Sequence, residues 1–199
     1  MSNRETLQAY EEHVEAYVAG TSAEVSGPPR QWMDRAVAGL APSARILELG
    51  SAFGRDAAYL QGRGYQVECS DACAGFLALL RAKGFAARAL NILTDTVGGP
   101  YDLILANAVL LHLSRAEFSQ VLARLAAALA PGGRFAFSLK RGDGEGWSSH
   151  KLGAPRYFRY WQPEQLPPLL AVAGFSTWDL QGAALARTHA DWLYGIAVR

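Results

Sequence analysis

The stretch Ile46-Leu47-Glu48-Leu49-Gly50-Ser51-Ala52-Phe53-Gly54-Arg55-Asp56 decides the fold of this chain. Its first residues have the pattern of a short buried strand, two glycines bound the turn that follows, and a helix begins after the second glycine. Such a turn lets the backbone come close to a ligand, and the N-terminal end of a helix favours negative charge. Asp71 follows at the end of the next predicted strand, where a carboxylate can bind both hydroxyls of a ribose. The stretch therefore predicts a site for a cofactor that contains a nucleoside.

Strand and helix patterns alternate along the chain after this turn. Strands are predicted at 45–49, 65–70, 86–90, 101–107, 134–139, 175–181 and 192–198. Helices are predicted at 54–63, 73–83 and 115–129, and the capping-box pair Ser114 and Glu117 opens the last of these. Residues 101–107 are apolar on both faces, as a central parallel strand should be. The alternation predicts an α/β fold, in which helices cover both faces of a parallel sheet.

Three further segments complete the predicted elements. Apolar residues at helical spacing indicate an amphipathic helix over 4–19, and Pro28 or Pro29 can open a second helix. Residues 140–160 have the pattern of a long irregular segment, which inside a compact domain is usually functional. A short helix is expected after Trp161, although two prolines remove backbone donors from its first turns.

Composition limits the class of protein. The chain has 199 residues, a length that predicts one domain with a substantial core. Half of its residues are apolar, which is ordinary for a globular protein. The net charge is only +1, which disfavours a nucleic-acid partner. No apolar run could cross a bilayer and the charged N-terminus is unlike a signal peptide, so we expect a cytoplasmic protein without a membrane partner. Cys69 and Cys73 give neither a disulfide framework nor metal-ligand spacing, so no metal is expected.

The spacing of the turn separates two kinds of cofactor. A dinucleotide-binding turn has the pattern Gly-x-Gly-x-x-Gly, whereas the two glycines of this turn are Gly50 and Gly54. Glu48 precedes the first glycine by two residues. A carboxylate at that position would repel a pyrophosphate, but it could hold the amino-acid end of S-adenosylmethionine directly or through water. The turn therefore favours S-adenosylmethionine over a dinucleotide.

On these residues the chain resembles the class I S-adenosylmethionine-dependent methyltransferases, in particular bacterial enzymes that act on small molecules. The first motif of that family is acid-x-Gly-x-Gly-x-Gly, and here Ala52 replaces the middle glycine. Leu129-Ala130-Pro131-Gly132-Gly133 matches a second family pattern, which precedes the fifth strand. The resemblance implies one doubly wound, Rossmann-like domain over 1–199, with a mostly parallel seven-stranded sheet and an antiparallel last strand. Residues 43–199 would form its core, and the helices of 1–42 would form the family's usual lid.

The resemblance also implies S-adenosylmethionine as the cofactor. Gly50 and its neighbours would lie under the methionine part, and Asp71 would bind the ribose hydroxyls, although it could also cap the following helix. Asn91 and Ile92 stand where the family places residues against the adenine, and Asn107 would face the methionine end. The residues expected to bind the cofactor are Tyr17, Glu48, Gly50, Ser51, Ala52, Gly54, Arg55, Asp56, Asp71, Ala72, Asn91, Ile92 and Asn107.

A second set of residues is expected on the side of the methyl acceptor. His112 is predicted at the sheet edge where ligands bind in open α/β folds, and its imidazole can take up a proton near neutral pH. We therefore name His112 as the candidate catalytic base, with a packed or solvated loop histidine as the alternative. The basic and aromatic residues of 140–160 could bind an anionic substrate, or they could form a solvated loop anchored to the core. The residues expected to bind substrate are Tyr10, Lys140, Glu145, Trp147, Arg156, Tyr157 and Tyr160.

These expectations combine into one function, methyl transfer from S-adenosylmethionine to a small-molecule acceptor. A hydroxyl acceptor would benefit from a base, whereas an amine or thiol would not need a strong one. Three alternatives stay open: a dinucleotide-dependent oxidoreductase, a non-catalytic cofactor-binding protein, and a methyltransferase that acts on protein or RNA. The spacing of the turn argues against the first alternative, and the near-neutral charge argues against RNA.

Overall fold

The computed structural model describes the backbone of residues 2–185 and 190–199 and the side chains of residues 3–183 and 191–199. The helices in chain order are α1 (Ser2–Glu12), α2 (Val14–Ala19), α3 (Gly27–Val37), α4 (Arg55–Gln61), α5 (Ala74–Ala82), α6 (Arg115–Ala128) and α7 (Leu166–Val172). The strands are β1 (Ile46–Leu49), β2 (Val67–Asp71), β3 (Ala87–Ala89), β4 (Tyr101–Asn107), β5 (Leu129–Lys140), β6 (Glu145–Ser148), β7 (Arg156–Arg159), β8 (Thr177–Leu185) and β9 (Ala190–Val198). Within these described parts, no helix combines the length and the apolar character needed to span a bilayer.

The central sheet has seven strands in the order β3-β2-β1-β4-β5-β9-β8. Neighbouring strands from β3 to β5 are parallel, and β9 is antiparallel to both β5 and β8. Glu48 of β1 pairs with Cys69 of β2 on one side and with Leu105 of β4 on the other. The predicted, mostly parallel sheet with an antiparallel last strand is confirmed. Its topology brings the carboxyl ends of β1, β2 and β4 to one edge.

Helices cover both faces of this sheet, as predicted. Leu47 and Leu49 of β1 belong to a core cluster that contains the buried residues of α6 and α7. Ile46 belongs to the cluster on the other face, with the buried residues of α3 and α4. Every residue of β1 is therefore buried, which is why its sequence is apolar at almost every position.

Two predicted helix starts agree with the structure. Ser114 Oγ accepts a hydrogen bond from the Glu117 N–H, and the Glu117 carboxylate accepts one from the Ser114 N–H at 2.8 Å, so the capping box of α6 is confirmed. Prolines occupy the first positions of α3 and α7. A missing N–H breaks no helical hydrogen bond there, so the prolines of α7 start that helix and do not weaken it.

The N-terminal helix is interrupted at His13, whereas the sequence predicted one helix over 4–19. His13 has non-helical dihedral angles (φ −128°, ψ 32°) and ends α1. In a continuous helix, residues seven apart lie about 10 Å apart along the axis. The ring centroids of Tyr10 and Tyr17 are only 5.4 Å apart, and both rings pack against Phe76. The interruption therefore lets two aromatic side chains converge on one point of the molecule.

Part of the segment 140–160 forms an antiparallel hairpin, so the prediction of an irregular segment was wrong there. Strand β6 pairs with β7 from Glu145 opposite Arg159 to Ser148 opposite Arg156. The hairpin is supported by a residue far away in the sequence, because the backbone N–H of Tyr157 donates to Thr6 Oγ1 of α1 at 3.0 Å. Local sequence patterns contain no information about such a contact.

Candidate functional site

Two adjoining cavities lie at the carboxyl ends of β1, β2 and β4. This is the edge at which open α/β sheets bind ligands. Both cavities are open to solvent, and the empty space in them, counted together with that open part, is about 780 Å³ for the first and about 1300 Å³ for the second. The residues that line both cavities are Tyr17, Gly50, Ala52, Asn107 and Ala108.

The residues predicted to bind a cofactor come together at these cavities, with the exception of Gly54. The first cavity is additionally lined by Asp71, Ala72, Asn91 and Ile92. The second is additionally lined by Glu48, Ser51, Arg55 and Asp56. Gly54 lines neither cavity. Its φ is +84°, and a Cβ atom at this position would lie 2.6 Å from the ring of Phe85, so the fold itself requires glycine there.

The turn after β1 forms the floor between the two cavities. Gly50 has a φ of +62°, and a Cβ atom there would lie 2.6 Å from Val109 Cγ2. Ala52 has a φ of +48°, a left-handed conformation that costs a non-glycine residue free energy. In this conformation the Ala52 N–H donates to Asp71 Oδ2 at 2.9 Å. The strained residue thus connects the turn to the end of β2.

Asp71 is a buried carboxylate that faces the first cavity. Its Oδ2 accepts from Ala52 and its Oδ1 accepts from the N–H of Cys73 at 2.9 Å, so the side chain also caps the region before α5. Burial raises the pKa of Asp71, and these backbone hydrogen bonds oppose that shift. In the described part of the chain it makes no ion pair. Its orientation is therefore fixed, and its remaining lone pairs can accept hydrogen bonds from a ligand's hydroxyl groups.

Glu48 supplies a second buried carboxylate, in the second cavity. Burial raises its pKa to about 8, and the nearby charge of Asp56 acts in the same direction. Asp56 is itself paired with Arg55, whose Nε lies 2.6 Å from Asp56 Oδ1. Glu48 has no cation within 4 Å among the described residues. A cationic group bound in this cavity would find an unpaired carboxylate.

Asn107 is held between Asp56 and a serine that sequence reasoning missed. Its Nδ2 donates to Asp56 Oδ2 at 2.6 Å, and its Oδ1 accepts from Ser138 Oγ at 2.6 Å. Ser138 Oγ also accepts from the N–H of Ala108 at 2.8 Å. Ser138 belongs to β5 and is fully buried. A serine in an otherwise apolar buried strand is the signal that could have found it, because a buried hydroxyl requires partners.

Helix α1 forms the roof of the first cavity through Asn3, Thr6, Leu7 and Tyr10. Asn3 Oδ1 accepts a hydrogen bond from Asn91 Nδ2 at 3.2 Å. Sequence reasoning identified Tyr10 but missed Asn3 and Thr6. Their spacing places them on the same helix face as Tyr10, and polar residues on the buried face of a helix are the signal that was available.

His112 lies in the 3-10 turn Leu110–His112 after β4 and is part of a buried hydrogen-bond chain. Its Nδ1 lies 2.7 Å from the carbonyl oxygen of Tyr157 and must carry the hydrogen, because a carbonyl only accepts. Its Nε2 therefore accepts from the Tyr10 hydroxyl at 2.8 Å. Burial lowers the pKa of His112 to about 3, which keeps the imidazole neutral. His112 also lines the first cavity, so it is neither a solvated histidine nor remote from the site.

The predicted acceptor residues are divided between two environments. Arg156 donates from Nη1 to the Tyr10 hydroxyl at 3.1 Å, and Lys140 Nζ lies 4.1 Å from the ring centroid of Phe158 and 5.9 Å from that of Tyr160. Lys151, which the predicted substrate set omitted, lines the second cavity and lies 4.0 Å from the ring centroid of Tyr17. Of the three cations only Lys151 lines a cavity; Lys140, Arg156 and Tyr160 line neither, and Arg156 contacts the first cavity's lining through its hydrogen bond to Tyr10.

The other predicted acceptor residues lie on the hairpin β6–β7. Trp147 is 47% exposed and packs edge-on against Tyr157. Glu145 forms an ion pair with Arg159, in which the closest atoms are 2.6 Å apart. None of Glu145, Trp147 and Tyr157 lines either cavity. The backbone of Tyr157, however, joins α1 to His112.

The sequence was compared with models of protein families and with curated proteins. Residues 16–180 match the family described as "Methyltransferase domain". A search of curated proteins finds no match.

Solved structures share the fold of this chain. One is a 1,6-didemethyltoxoflavin N1-methyltransferase of Burkholderia thailandensis with bound 1,6-didemethyltoxoflavin and S-adenosylhomocysteine (24% identity, 97% of this chain and 84% of that chain, TM-score 0.73). Another is the CcbJ methyltransferase of Streptomyces caelestis (20% identity, 96% of this chain and 98% of that chain, TM-score 0.69). A third is phosphoethanolamine N-methyltransferase 2 of Haemonchus contortus with S-adenosylmethionine (13% identity, 95% of this chain and 57% of that chain, TM-score 0.73).

Proposed function

The chain belongs to the methyltransferase domain family, and from this premise we propose that it transfers the methyl group of S-adenosylmethionine to a small-molecule acceptor. Membership of this family overturns the alternative of a dinucleotide-dependent oxidoreductase. The observation that carries the proposal is a pair of buried carboxylates at one sheet edge, Asp71 in the first cavity and Glu48 in the second. Neither has a cationic partner among the described residues.

These two carboxylates fit the two ends of S-adenosylmethionine. Asp71 would accept hydrogen bonds from the ribose hydroxyls, with Asn91 and Ile92 beside the adenine. Glu48 would face the ammonium group, and Asn107 would border the methionine part. The raised pKa of Glu48 supports this assignment, because a bound ammonium would supply the ion-pair partner that this side chain lacks among the described residues. When bound, S-adenosylmethionine supplies an electrophilic methyl group on a positively charged sulfur.

The main contribution of the protein would be to hold the reacting atoms in line. Such positioning can supply about 7–11 kcal/mol of barrier reduction. Tyr10 and Tyr17 present aromatic rings at the cavities, and aromatic faces favour a neighbouring cation. Residues 1–42 would act as a lid over the core 43–199, because residues of α1 line the first cavity.

Tyr10 and His112 form the proposed proton path for an acceptor that must lose a proton. The neutral His112 has its only free lone pair on Nε2, which already accepts the hydrogen of the Tyr10 hydroxyl. Tyr10 would take up the acceptor's proton while its own proton passes to His112 Nε2. Because burial lowers the pKa of His112 to about 3, its imidazole is a weak base, so this path suits only an acceptor that gives up its proton easily.

Two observations support a small molecule as the acceptor. The site lies in cavities beneath α1, and cavities of this kind suit small molecules. The net charge of +1 does not suit an RNA partner. In addition, the structure of the similar Burkholderia enzyme contains a small-molecule acceptor.

Calorimetric titration with S-adenosylhomocysteine tests the cofactor assignment. The wild-type protein should bind it, and Asp71→Asn should bind it about 10-fold to 100-fold more weakly, since a hydrogen bond to a charged group is worth about 1.5–3 kcal/mol. Asp191→Asn is the matched control, because Asp191 is exposed at the start of β9. Binding of NAD by the wild-type protein, without binding of S-adenosylhomocysteine, would overturn the proposal.

A further inference from the structure

We propose that the methyl acceptor is an anion, carrying a carboxylate or a phosphate group, and that Arg156 binds this group together with Lys140 and Lys151. The inference rests on the proposed function and names the substrate class of the same site. Arg156 is the first residue of β7, Lys140 is the last residue of β5, and Lys151 lies in the loop between β6 and β7. They form what we call the cation cluster.

Arg156 is a buried cation with no anionic partner among the side chains that the structure describes. The residue is only 5% exposed. Of its five N–H donors, one on Nη1 donates to the Tyr10 hydroxyl, and its Nε is buried with no hydrogen-bond partner. Burying a charge is costly unless an opposite charge and hydrogen bonds compensate it. A bound anion would provide both.

Lys140 places a second positive charge next to the first. Its Nζ lies 4.1 Å from the ring centroid of Phe158, and Arg156 Cζ lies 5.1 Å from the same centroid. Burial lowers the pKa of Lys140, and the charge of Arg156 lowers it further. Like charges at one aromatic ring repel each other, so an anion between them would relieve the repulsion.

Lys151 extends the cluster toward the second cavity. Burial lowers its pKa to about 8, and Arg156, Arg55 and Lys140 contribute to this shift through their charges. Its Nζ donates to Thr21 Oγ1 at 2.6 Å, which leaves donors available to a ligand. No member of the cation cluster forms an ion pair with any residue whose side chain the structure describes.

Arg156 and Lys140 lie outside the cavity linings that contain the acidic residues of the site, whereas Lys151 lines the second cavity together with Glu48 and Asp56. Asp71 lines the first cavity, and Glu48 and Asp56 line the second, where the proposed cofactor would place its cationic groups. Arg156 instead borders the first cavity through Tyr10, the same tyrosine that we place at the acceptor. Arg159, on the same strand, has its own carboxylate in Glu145. Arg156 therefore lies beside the tyrosine that we place at the acceptor, and no member of the cation cluster has an ion-pair partner among the described side chains.

Titration of the S-adenosylhomocysteine complex with two anions tests this inference. Sodium benzoate and sodium phosphate are added separately at constant ionic strength, and backbone amide signals are followed by NMR. We expect saturable shifts at residues 156–158 and 140 with at least one of the two anions. The benzoate arm reports on a carboxylate and the phosphate arm on a phosphate.

Variants assign the binding to the cluster. Arg156→Gln should weaken anion binding at least about 10-fold, as expected from the loss of a charged hydrogen bond. Lys140→Gln should weaken it as well and serves as the second variant if Arg156→Gln does not fold. Arg159→Gln is the matched control, because it removes an arginine from the same strand that already has a carboxylate partner.

The outcomes separate the two proposals. If S-adenosylhomocysteine does not bind, the proposed function fails. If it binds but neither anion gives saturable shifts, or if Arg156→Gln and Arg159→Gln bind anions equally well, the present inference is overturned and the proposed function stands.

Discussion

Glu48 and His112 are both buried, and burial shifts their pKa values in opposite directions because it disfavours the charged form of each. Glu48 is shifted up to about 8 and His112 down to about 3. In the free protein these shifts leave the imidazole uncharged and bring the carboxylate close to half-protonation near pH 8. Each residue therefore has a shifted pKa, which a simple packing role does not require and which a titration can measure.

The role of His112 is tested by His112→Asn. Asparagine can still donate to the Tyr157 carbonyl, but its shorter side chain places no acceptor at the position of Nε2, where the Tyr10 hydroxyl donates. If the acceptor must lose a proton, turnover should fall, but by less than the factor of about 10²–10⁴ expected for a general base whose pKa lies near the working pH. Affinity for S-adenosylhomocysteine should stay nearly constant, since no proposed cofactor contact is removed. Turnover equal to that of the wild type would remove His112 from the mechanism.

The role of Glu48 is tested by Glu48→Gln. The folded-state pKa of about 8 lies above the ordinary value of 4.5, so the folded protein binds more protons than the unfolded chain between these values. Stability of the wild type should therefore fall as pH rises from about 4.5 to 8, by up to about 1.4 kcal/mol per pH unit. The stability of the variant should lack this pH-dependent part, because glutamine does not titrate. The variant should also bind S-adenosylhomocysteine more weakly.

Denaturant unfolding at pH 5 and pH 8.5 measures this effect. Relative to the wild type, Glu48→Gln should be more stable at pH 8.5 than at pH 5. Glu164→Gln, at an exposed position, serves as the control and should give the same difference at both pH values. A pH-independent difference for Glu48→Gln would contradict the assigned pKa.

At the scale of elements, the correctly predicted elements are those whose conformation depends on residues adjacent in the sequence. The strand β1, the turn after it and the capping box of α6 depend on adjacent residues, and their patterns were sufficient. The break at His13 and the hairpin β6–β7 depend on distant partners, namely Phe76 and Thr6. Their local patterns were compatible with a longer helix and an irregular loop.

The turn after β1 provides a matched pair of substitutions. Gly50→Ala places a Cβ atom 2.6 Å from Val109 Cγ2 and adds a left-handed cost of about 1–2 kcal/mol, so the variant should be less stable and should lose cofactor affinity. Ala52→Gly removes the cost of the left-handed conformation at residue 52 from the folded state. It also stabilises the unfolded chain by about 0.4–1 kcal/mol, because glycine has more conformational freedom there.

The net result for Ala52→Gly should be an increase of up to about 1.6 kcal/mol in the free energy of unfolding, with cofactor affinity unchanged. Chemical denaturation and calorimetry measure the two quantities. Loss of stability in both variants would show that the turn is not strained at Ala52 in the way its dihedral angles indicate.

At the scale of the whole molecule, sheet topology explains how much of the site was predictable. Glu48, Asp71 and Asn107 lie in or at the end of strands that the topology places side by side, so strand order alone brings them together. Thr6, Ser138 and Lys151 reach the site through tertiary packing and belong to no motif. The placement of Arg156 and Lys140 outside the cavity linings that contain the acids also arises only in the folded chain.

A crystal structure of the complex with S-adenosylhomocysteine tests the central claim most directly. The account predicts both ribose hydroxyls within about 3 Å of the Asp71 carboxylate, the amino group directed toward Glu48, and the sulfur directed toward Tyr10. A ribose placed away from Asp71, or the ligand bound outside the two cavities, would contradict the account.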